Sequence, residues 1–249
     1  MLHCGAEVIS RDELGMLPIP PSKGSRHVIR PFIEDIELIT NLLGRNGLSL
    51  KSEGYGVKHK EGVPAQFFGL MEVELEGDYL GRDYGLTIGL RGSYDQTLTR
   101  GMVVGSNIFV CDNLCFSGEI DIRTKQTTFI GQRIKTIMID AVSRIPALAI
   151  RQDEKFTRYK EVDVGRDGVN DTIIEMVRDG TLNPSHVGKV LKEWDTPKHP
   201  EHAQYGHSVW RFHNAVTEAI KPTDQGRANV LNVMDRTIPL TLACDRLAA

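Results

Sequence analysis

Apolar and polar residues alternate with a period of two between residues 48 and 123, which is typical of β-strands. The alternation is clearest over 71–76, where Met71, Val73 and Leu75 share one face and three glutamates share the other. Turn-forming residues separate the runs. The pattern predicts an antiparallel meander with strands around Val57 and over 66–76, 84–91, 101–111 and 116–123. We expect the glutamate face to be solvated, because carboxylates two apart on a strand do not converge on one ion.

Before and after this meander, apolar residues recur at helical spacing. After Pro31 it predicts a helix over 31–45. The strongest helical pattern begins near Thr127, and Pro146 is expected to end it. Beyond residue 168 the pattern predicts helices over 169–177, 184–194 and 209–220, followed by two short helices broken at Pro239.

These elements together predict an α+β fold, an antiparallel β meander with flanking helices and a helical C-terminal part. Residues 1–30 contain Pro18, Pro20 and Pro21 and lack sustained periodicity, which favours an extended N-terminal arm or lead-in strand. Residues 31–165 are predicted to form an α+β core domain, and residues 166–249 a helical C-terminal region packed on that core.

Composition places the chain among ordinary globular proteins. Its 249 residues are 40% hydrophobic and 25% charged, with 33 acidic against 30 basic side chains and a formal net charge of -3. No apolar run approaches the roughly 18 residues that span a bilayer, and the N-terminus lacks the pattern of a signal peptide. Four cysteines are too few for a disulfide scaffold. We therefore expect a cytoplasmic protein with no membrane partner.

Positive charge is concentrated locally on the strongest helix and just after it. Arg133, Lys135 and Arg144 lie off the apolar stripe of that helix. A polar stretch follows, with Phe156 and Tyr159 as candidates for stacking on bases. Its basic residues are Arg151, Lys155, Arg158 and Lys160. Two interpretations remain open, a solvated basic surface and a groove that binds the phosphates of a nucleic acid.

Catalytic signatures are absent from the sequence. It has no phosphate loop, no Gly-x-Ser-x-Gly elbow, no His-Glu-x-x-His and no dinucleotide fingerprint, so we expect no cofactor and assign no catalytic residue. The candidate zinc ligands are Cys111, Cys115 and the four histidines between 199 and 213. Three residues separate the cysteines and Pro200 interrupts the histidines, so we expect no bound metal. His213 is expected to be a core histidine, because it lies near the apolar face of its helix.

Two polar segments follow apolar strands, Gly92-Ser93-Tyr94-Asp95-Gln96-Thr97 and Cys111-Asp112-Asn113. Such loops can hold an ion or position a substrate on a rigid scaffold. They can equally close Asx or Ser turns on their own backbone, which we favour because no base accompanies Ser93.

These segments, with 103–110 before the second and Phe116-Ser117-Gly118-Glu119 after it, resemble the phage/plasmid-like family known as domain of unknown function 932. Trp210 and Asn214 in a late helix resemble that family as well, and the similarity covers most of the chain from about residue 30. Tyr94 stands where the family usually has histidine. The resemblance implies a gene of phage, plasmid or genomic-island origin and transfers no catalytic residues. The order of meander and long helix is also broadly similar to phage single-strand-annealing proteins.

The leading hypothesis is a non-enzymatic protein of a mobile element that binds nucleic acid, with single-stranded DNA as partner in replication, recombination or annealing. A protein-binding module that acts on a host factor, in counter-defence or regulation, is the first alternative. A hydrolase or nuclease that uses Ser93, Asp95 and Asn113 with His213 or a divalent ion is the second. A homo-oligomer is compatible with the nucleic-acid-binding hypothesis and with the protein-binding hypothesis. A helix-turn-helix is disfavoured, because its second helix offers only His186, Lys189 and Lys192 as polar readers.

Overall fold

The computed structural model describes residues 6–22, 24, 26–75, 84–108, 113–115, 120–220 and 230–249. The strands are β1 (Glu7–Ile9), β2 (Leu48–Lys60), β3 (Val63–Leu75), β4 (Tyr84–Ser93), β5 (Arg100–Ile108), β6 (Asn113–Cys115) and β7 (Asp121–Thr124). The helices are α1 (Arg11–Gly15), α2 (Ile33–Arg45), α3 (Ile130–Glu161), α4 (Gly165–Arg178), α5 (Val187–Asp195), α6 (Val209–Ala219) and α7 (Val230–Leu247). Two short 3₁₀ segments, Pro184–His186 and Pro200–Tyr205, precede α5 and α6.

The described strands form one antiparallel sheet in the order β1-β2-β3-β4-β5-β6, and β7 pairs with β5 on the same side as β6. The predicted α+β class and meander are therefore confirmed. β2 and β3 pair from Leu48 opposite Leu75 to Lys60 opposite Val63, so they are longer than the alternation predicted. Glu61 and Gly62 connect them, both with positive φ, the conformation that a tight hairpin requires. The predicted strands over 101–111 and 116–123 extend partly outside the described residues.

One face of the sheet packs against α2 and α3 to form the first core. Met71, Val73 and Ile88 from the strands are buried there with Ile36 and Val142 from the helices. The opposite face at the end of β3 carries Glu72, which accepts a hydrogen bond from Ser52 (2.8 Å), and Glu74, which pairs with Lys51 (3.1 Å). Glu76 lies outside the described residues.

A second core contains the C-terminal half of α3, helices α4 to α7 and Tyr84 of β4. Phe156 lies at its centre, with its ring 4.7 Å from Tyr84 and 4.9 Å from Trp210. Polar contacts tie the same half of α3 to the sheet: Ser106 donates to Gln152 (2.7 Å) and Tyr84 donates to Asp153 (2.5 Å). α3 is thus shared by both cores.

Two predicted helix ends are wrong. α3 continues through Pro146 to Glu161, and α7 contains Pro239. A proline inside a helix removes one backbone hydrogen bond and crowds the preceding turn, at a cost of about 3 kcal/mol. In α3 that cost is offset, because the turns that follow bury Leu148, Ala149 and Phe156 in the two cores.

The N-terminal segment is more ordered than the extended arm that its prolines suggested. β1 pairs with residues 55–57 of β2, which agrees with a lead-in strand. α1 then begins at a capping box, in which Ser10 accepts from the Glu13 amide and the Glu13 carboxylate accepts from the Ser10 amide. The Ser-x-x-Glu spacing is a helix-start signal that sequence analysis could have used.

None of the helices within the described residues combines the length and apolar character that crossing a bilayer requires.

Glycine at position 69 is required by close packing, which gives a test of the first core. A Cβ there would lie 3.0 Å from the Phe67 ring and 3.2 Å from the Tyr55 ring, and both rings are buried. Gly69→Ala is expected to lower the free energy of unfolding by about 1–2 kcal/mol. Gly131→Ala is the matched control, because nothing lies within 4 Å of that position in the first turn of α3. Gly131→Ala is expected to raise the free energy of unfolding by about 0.5 kcal/mol. Equal effects in chemical denaturation would contradict this packing.

Candidate nucleic-acid interface

Four arginines line one side of α3. Arg133, Arg144, Arg151 and Arg158 are separated by 11, 7 and 7 residues, close to whole numbers of helical turns. All four are exposed, and together they span about 38 Å along the helix axis. The predicted basic residues therefore include a linear array of exposed guanidinium groups.

α3 is the locally positive part of an acidic chain. It contains seven basic and four acidic side chains, whereas the whole chain carries a net charge of -3. Asp140 lies on the arginine side and pairs with Arg144 at 3.8 Å. Such an exposed pair contributes little to stability and partly offsets the positive potential of the arginines.

The three lysines of the predicted set lie apart from the arginines. Lys155 is largely buried and donates to Asp245 of α7 (3.1 Å). Lys160 lies over the rings of Tyr205 and Trp210, about 5 Å from each centroid, so it packs on the C-terminal helices. Lys135 is exposed. Because it lies two residues after Arg133, it projects from the opposite flank of the helix.

The stacking role predicted for Phe156 and Tyr159 is wrong. Their side chains are only 2% and 0% exposed, so no base can stack on them. Tyr159 donates to Asp245 (2.6 Å), and its ring lies 6.0 Å from that of Phe156. Both residues continue the buried stripe of α3, with Phe156 four residues after Gln152 and Tyr159 three residues after Phe156. The helix end expected at Pro146 hid this continuity.

The polar loop after β4 closes on itself. The Ser93 hydroxyl accepts from the Leu98 amide (2.9 Å) and donates to the Leu98 carbonyl (3.1 Å). The Asp95 carboxylate accepts from the amide (3.0 Å) and the hydroxyl (2.5 Å) of Thr97. These are the Ser and Asx turns that the sequence favoured. Because the Ser93 hydroxyl is engaged with the backbone, the loop offers no activated nucleophile.

Tyr94 anchors this loop to α2. Its ring stacks on Phe32 with centroids 3.9 Å apart, and its hydroxyl accepts from the Phe32 amide (3.2 Å). Burial raises the pKa of the Tyr94 hydroxyl, so the residue remains neutral. A tyrosine in this position therefore holds the loop and α2 together.

A buried ion cluster lies next to that stack, and sequence analysis missed it. Arg100 is 2% exposed, and its Nε donates to Asp35 (3.0 Å) while its Nη2 donates to the Arg30 carbonyl (2.8 Å). Arg30 completes the cluster by donating to Asp35 (3.1 Å). Burial raises the pKa of the Asp35 carboxyl, and the charges of Arg100 and Arg30 oppose the rise. The charges are separated by up to 70 positions, and no local pattern announces such a pairing.

The late helix of the family resemblance is a core helix. Trp210, His213 and Asn214 of α6 are all buried, and Asn214 donates to the Trp210 carbonyl (2.8 Å). His213 stacks on Trp210 with centroids 5.8 Å apart. Burial, together with the positive charge of Lys155, lowers its pKa to about 4, so the imidazole is neutral at physiological pH. A core role for His213 agrees with the prediction from its position on the helix.

The remaining candidates do not assemble into a chemical site among the described residues. Asn113 belongs to β6, opposite Ile108, and its side chain and Cys111 lie outside the description. The rings of His199 and His202 are 5.7 Å apart, yet the described residues contain no group of three metal-ligating side chains suited to an ion. On α5, Lys189 and Lys192 are exposed, while Val190 and Trp194 are buried.

Searches of known protein families, of curated proteins and of solved structures found no match to this chain. The resemblance to the phage/plasmid-like family therefore stays a prediction from the quoted motifs.

Proposed function

We propose that the chain is a non-enzymatic nucleic-acid-binding protein that contacts phosphates along the arginine side of α3. The observation that carries this proposal is the alignment of Arg133, Arg144, Arg151 and Arg158 on one exposed side of a 32-residue helix. Guanidinium groups bind phosphate oxygens in a planar, bidentate geometry, and a row of them suits a polyanion better than a single small anion.

The biological setting rests on the family resemblance. A phage- or plasmid-derived protein with such a surface would act in mobile-element DNA metabolism, by binding or annealing DNA strands. The engaged Ser93 hydroxyl and the buried His213 support a binding role over a hydrolase or nuclease. Contacts through phosphates alone would give binding with little sequence preference and a strong dependence on salt.

Charge reversal on α3 tests this function. The triple variant Arg144→Glu, Arg151→Glu and Arg158→Glu is expected to weaken binding of a labelled oligonucleotide by at least about 100-fold at low salt, because three phosphate contacts become repulsive. Fluorescence anisotropy across a salt series measures both the dissociation constant and the salt slope. For the unaltered chain the slope of log K against log salt should be roughly -3 for a single strand, which corresponds to about four phosphate contacts.

A matched control reverses three exposed charges elsewhere, Arg178→Glu with Lys189→Glu and Lys192→Glu on α4 and α5. It changes the net charge by the same amount and also removes two of the three polar readers of a helix-turn-helix, Lys189 and Lys192. The proposal requires this control to retain most of the affinity. If both triple variants weakened binding equally, net charge alone would explain the effect and α3 would not be the interface.

A protein-binding function is the second candidate, favoured by exposed apolar residues near the N-terminus. Val8 and Met16 are 71% and 74% exposed, and Ile19 follows at 54%. Apolar side chains that face solvent in one segment suit a partner protein better than a nucleic acid. Replacing all three by serine should leave oligonucleotide binding intact, and it should abolish binding of a partner protein if this segment is a protein interface.

A further inference from the structure

An uncharged strip runs along α3 beside its arginines. Ile139, Ser143, Ala147 and Ile150 follow one another at spacings of four, four and three residues, so they share one strip of helix surface. Ile139 and Ile150 are each about half exposed. Single exposed apolar residues are ordinary, but this strip interrupts the polar outer side that an amphipathic helix normally presents to water.

The strip and the arginines are immediate neighbours. Arg144 follows Ser143 and Arg151 follows Ile150, so each guanidinium projects about 100° around the helix from the uncharged strip. Between residues 139 and 151 the single acidic residue is Asp140, which is paired with Arg144. A ligand that covers this surface meets positive charge along one edge and apolar side chains along the other.

We propose that this surface selects single-stranded nucleic acid, with phosphates on Arg144 and Arg151 and bases on Ile139 and Ile150. The inference rests on the proposed function. A single strand presents both an anionic backbone and exposed base faces, whereas a duplex buries its base faces in the stack. An acidic peptide would match the arginines but would bring no flat apolar surface to the isoleucines. With Phe156 and Tyr159 in the core, the exposed isoleucines supply the apolar contact.

The test is the double variant Ile139→Asn with Ile150→Asn, assayed by anisotropy with labelled oligothymidine and with a mixed-sequence duplex of the same length. The dissociation constant for oligothymidine is expected to rise roughly tenfold, because two apolar contacts are lost. The constant for the duplex should stay within about twofold, since the arginines remain.

Two further variants make the outcome specific. Ile174→Asn changes another half-exposed isoleucine, on α4, and should affect neither ligand. Asp140→Asn removes the acid beside Arg144 and should tighten both ligands about twofold, because it acts through charge.

Several results would overturn the inference. An unchanged oligothymidine constant, or equal losses for strand and duplex, would show that bases do not contact the strip, while arginine-dependent binding would still support the proposed function. Displacement of oligothymidine by poly-L-glutamate at equal charge concentration would assign the surface to acidic polypeptides. If the unaltered chain bound neither strand nor duplex at low salt, the proposed function itself would fail.

Discussion

Asp35→Ala is expected to destabilise the chain by about 3–5 kcal/mol, because it leaves the guanidinium of Arg100 buried without its carboxylate. Arg100 is 2% exposed, and Asp35 receives hydrogen bonds from both Arg100 and Arg30. Water cannot readily replace the lost carboxylate at such a buried site. Chemical denaturation at neutral pH gives the difference in free energy of unfolding, provided that the transition stays two-state.

Glu34→Ala is the matched control for Asp35. Glu34 also pairs with Arg30 (2.9 Å), but its side chain is 42% exposed. Exposed pairs contribute about 0–1 kcal/mol, so this variant should lose much less stability. A second variant, Asp35→Leu with Arg100→Met, should recover most of the loss, because replacing a buried ion pair by apolar residues is often neutral. Similar losses for Asp35→Ala and Glu34→Ala would contradict the burial of the cluster.

The second large effect is a loss of stability on acidification that originates at His213. The pKa of His213 is about 4 in the folded chain, below the value of about 6.5 expected when unfolded. Between these values the unfolded chain binds the proton more readily. The stabilisation is therefore complete above pH 6.5 and is lost as the pH falls towards 4. Between pH 6.5 and pH 5 the loss attributable to His213 should be about 2 kcal/mol.

The measurement compares denaturation of the unaltered chain and of His213→Phe at several values between pH 7 and pH 5. Phenylalanine retains a ring against Trp210 and cannot bind a proton, so this variant should show a shallower dependence on pH. Burial also lowers the pKa of His202, which contributes in the same direction in both chains. An unchanged slope in His213→Phe would show that His213 is not the residue responsible.

The sheet could be predicted from the sequence because burial of one face makes apolar and polar residues alternate along each strand. Met71, Val73 and Leu75 point to the core side, while Glu72 and Glu74 lie on the other. The α2 helix was predicted for the same reason, with a period of 3.6. Each pattern shows which side of a single strand or helix is buried, so it can be recognised within a short window of residues.

The candidate interface was only partly predictable. The positive charge of α3 is visible in the sequence, but the alignment of Arg144 with Arg151 and Arg158 depends on the helix continuing past Pro146. That continuation is decided by packing of the later turns in the second core, which no local rule represents. The pairing of Asp35 with Arg100 depends on sheet and helix meeting in space, and lies beyond any local pattern.

The sharing of α3 between two cores has a consequence for how this chain can evolve. Its first half buries Ile134 and Val142 against the sheet, and its second half buries Phe156 and Tyr159 among the C-terminal helices. An exchange of sequence that joined this sheet to a different C-terminal region would have to keep those aromatic positions or expose them to water. Gene exchange should therefore preserve α3 and the helices that cover it as one inherited block.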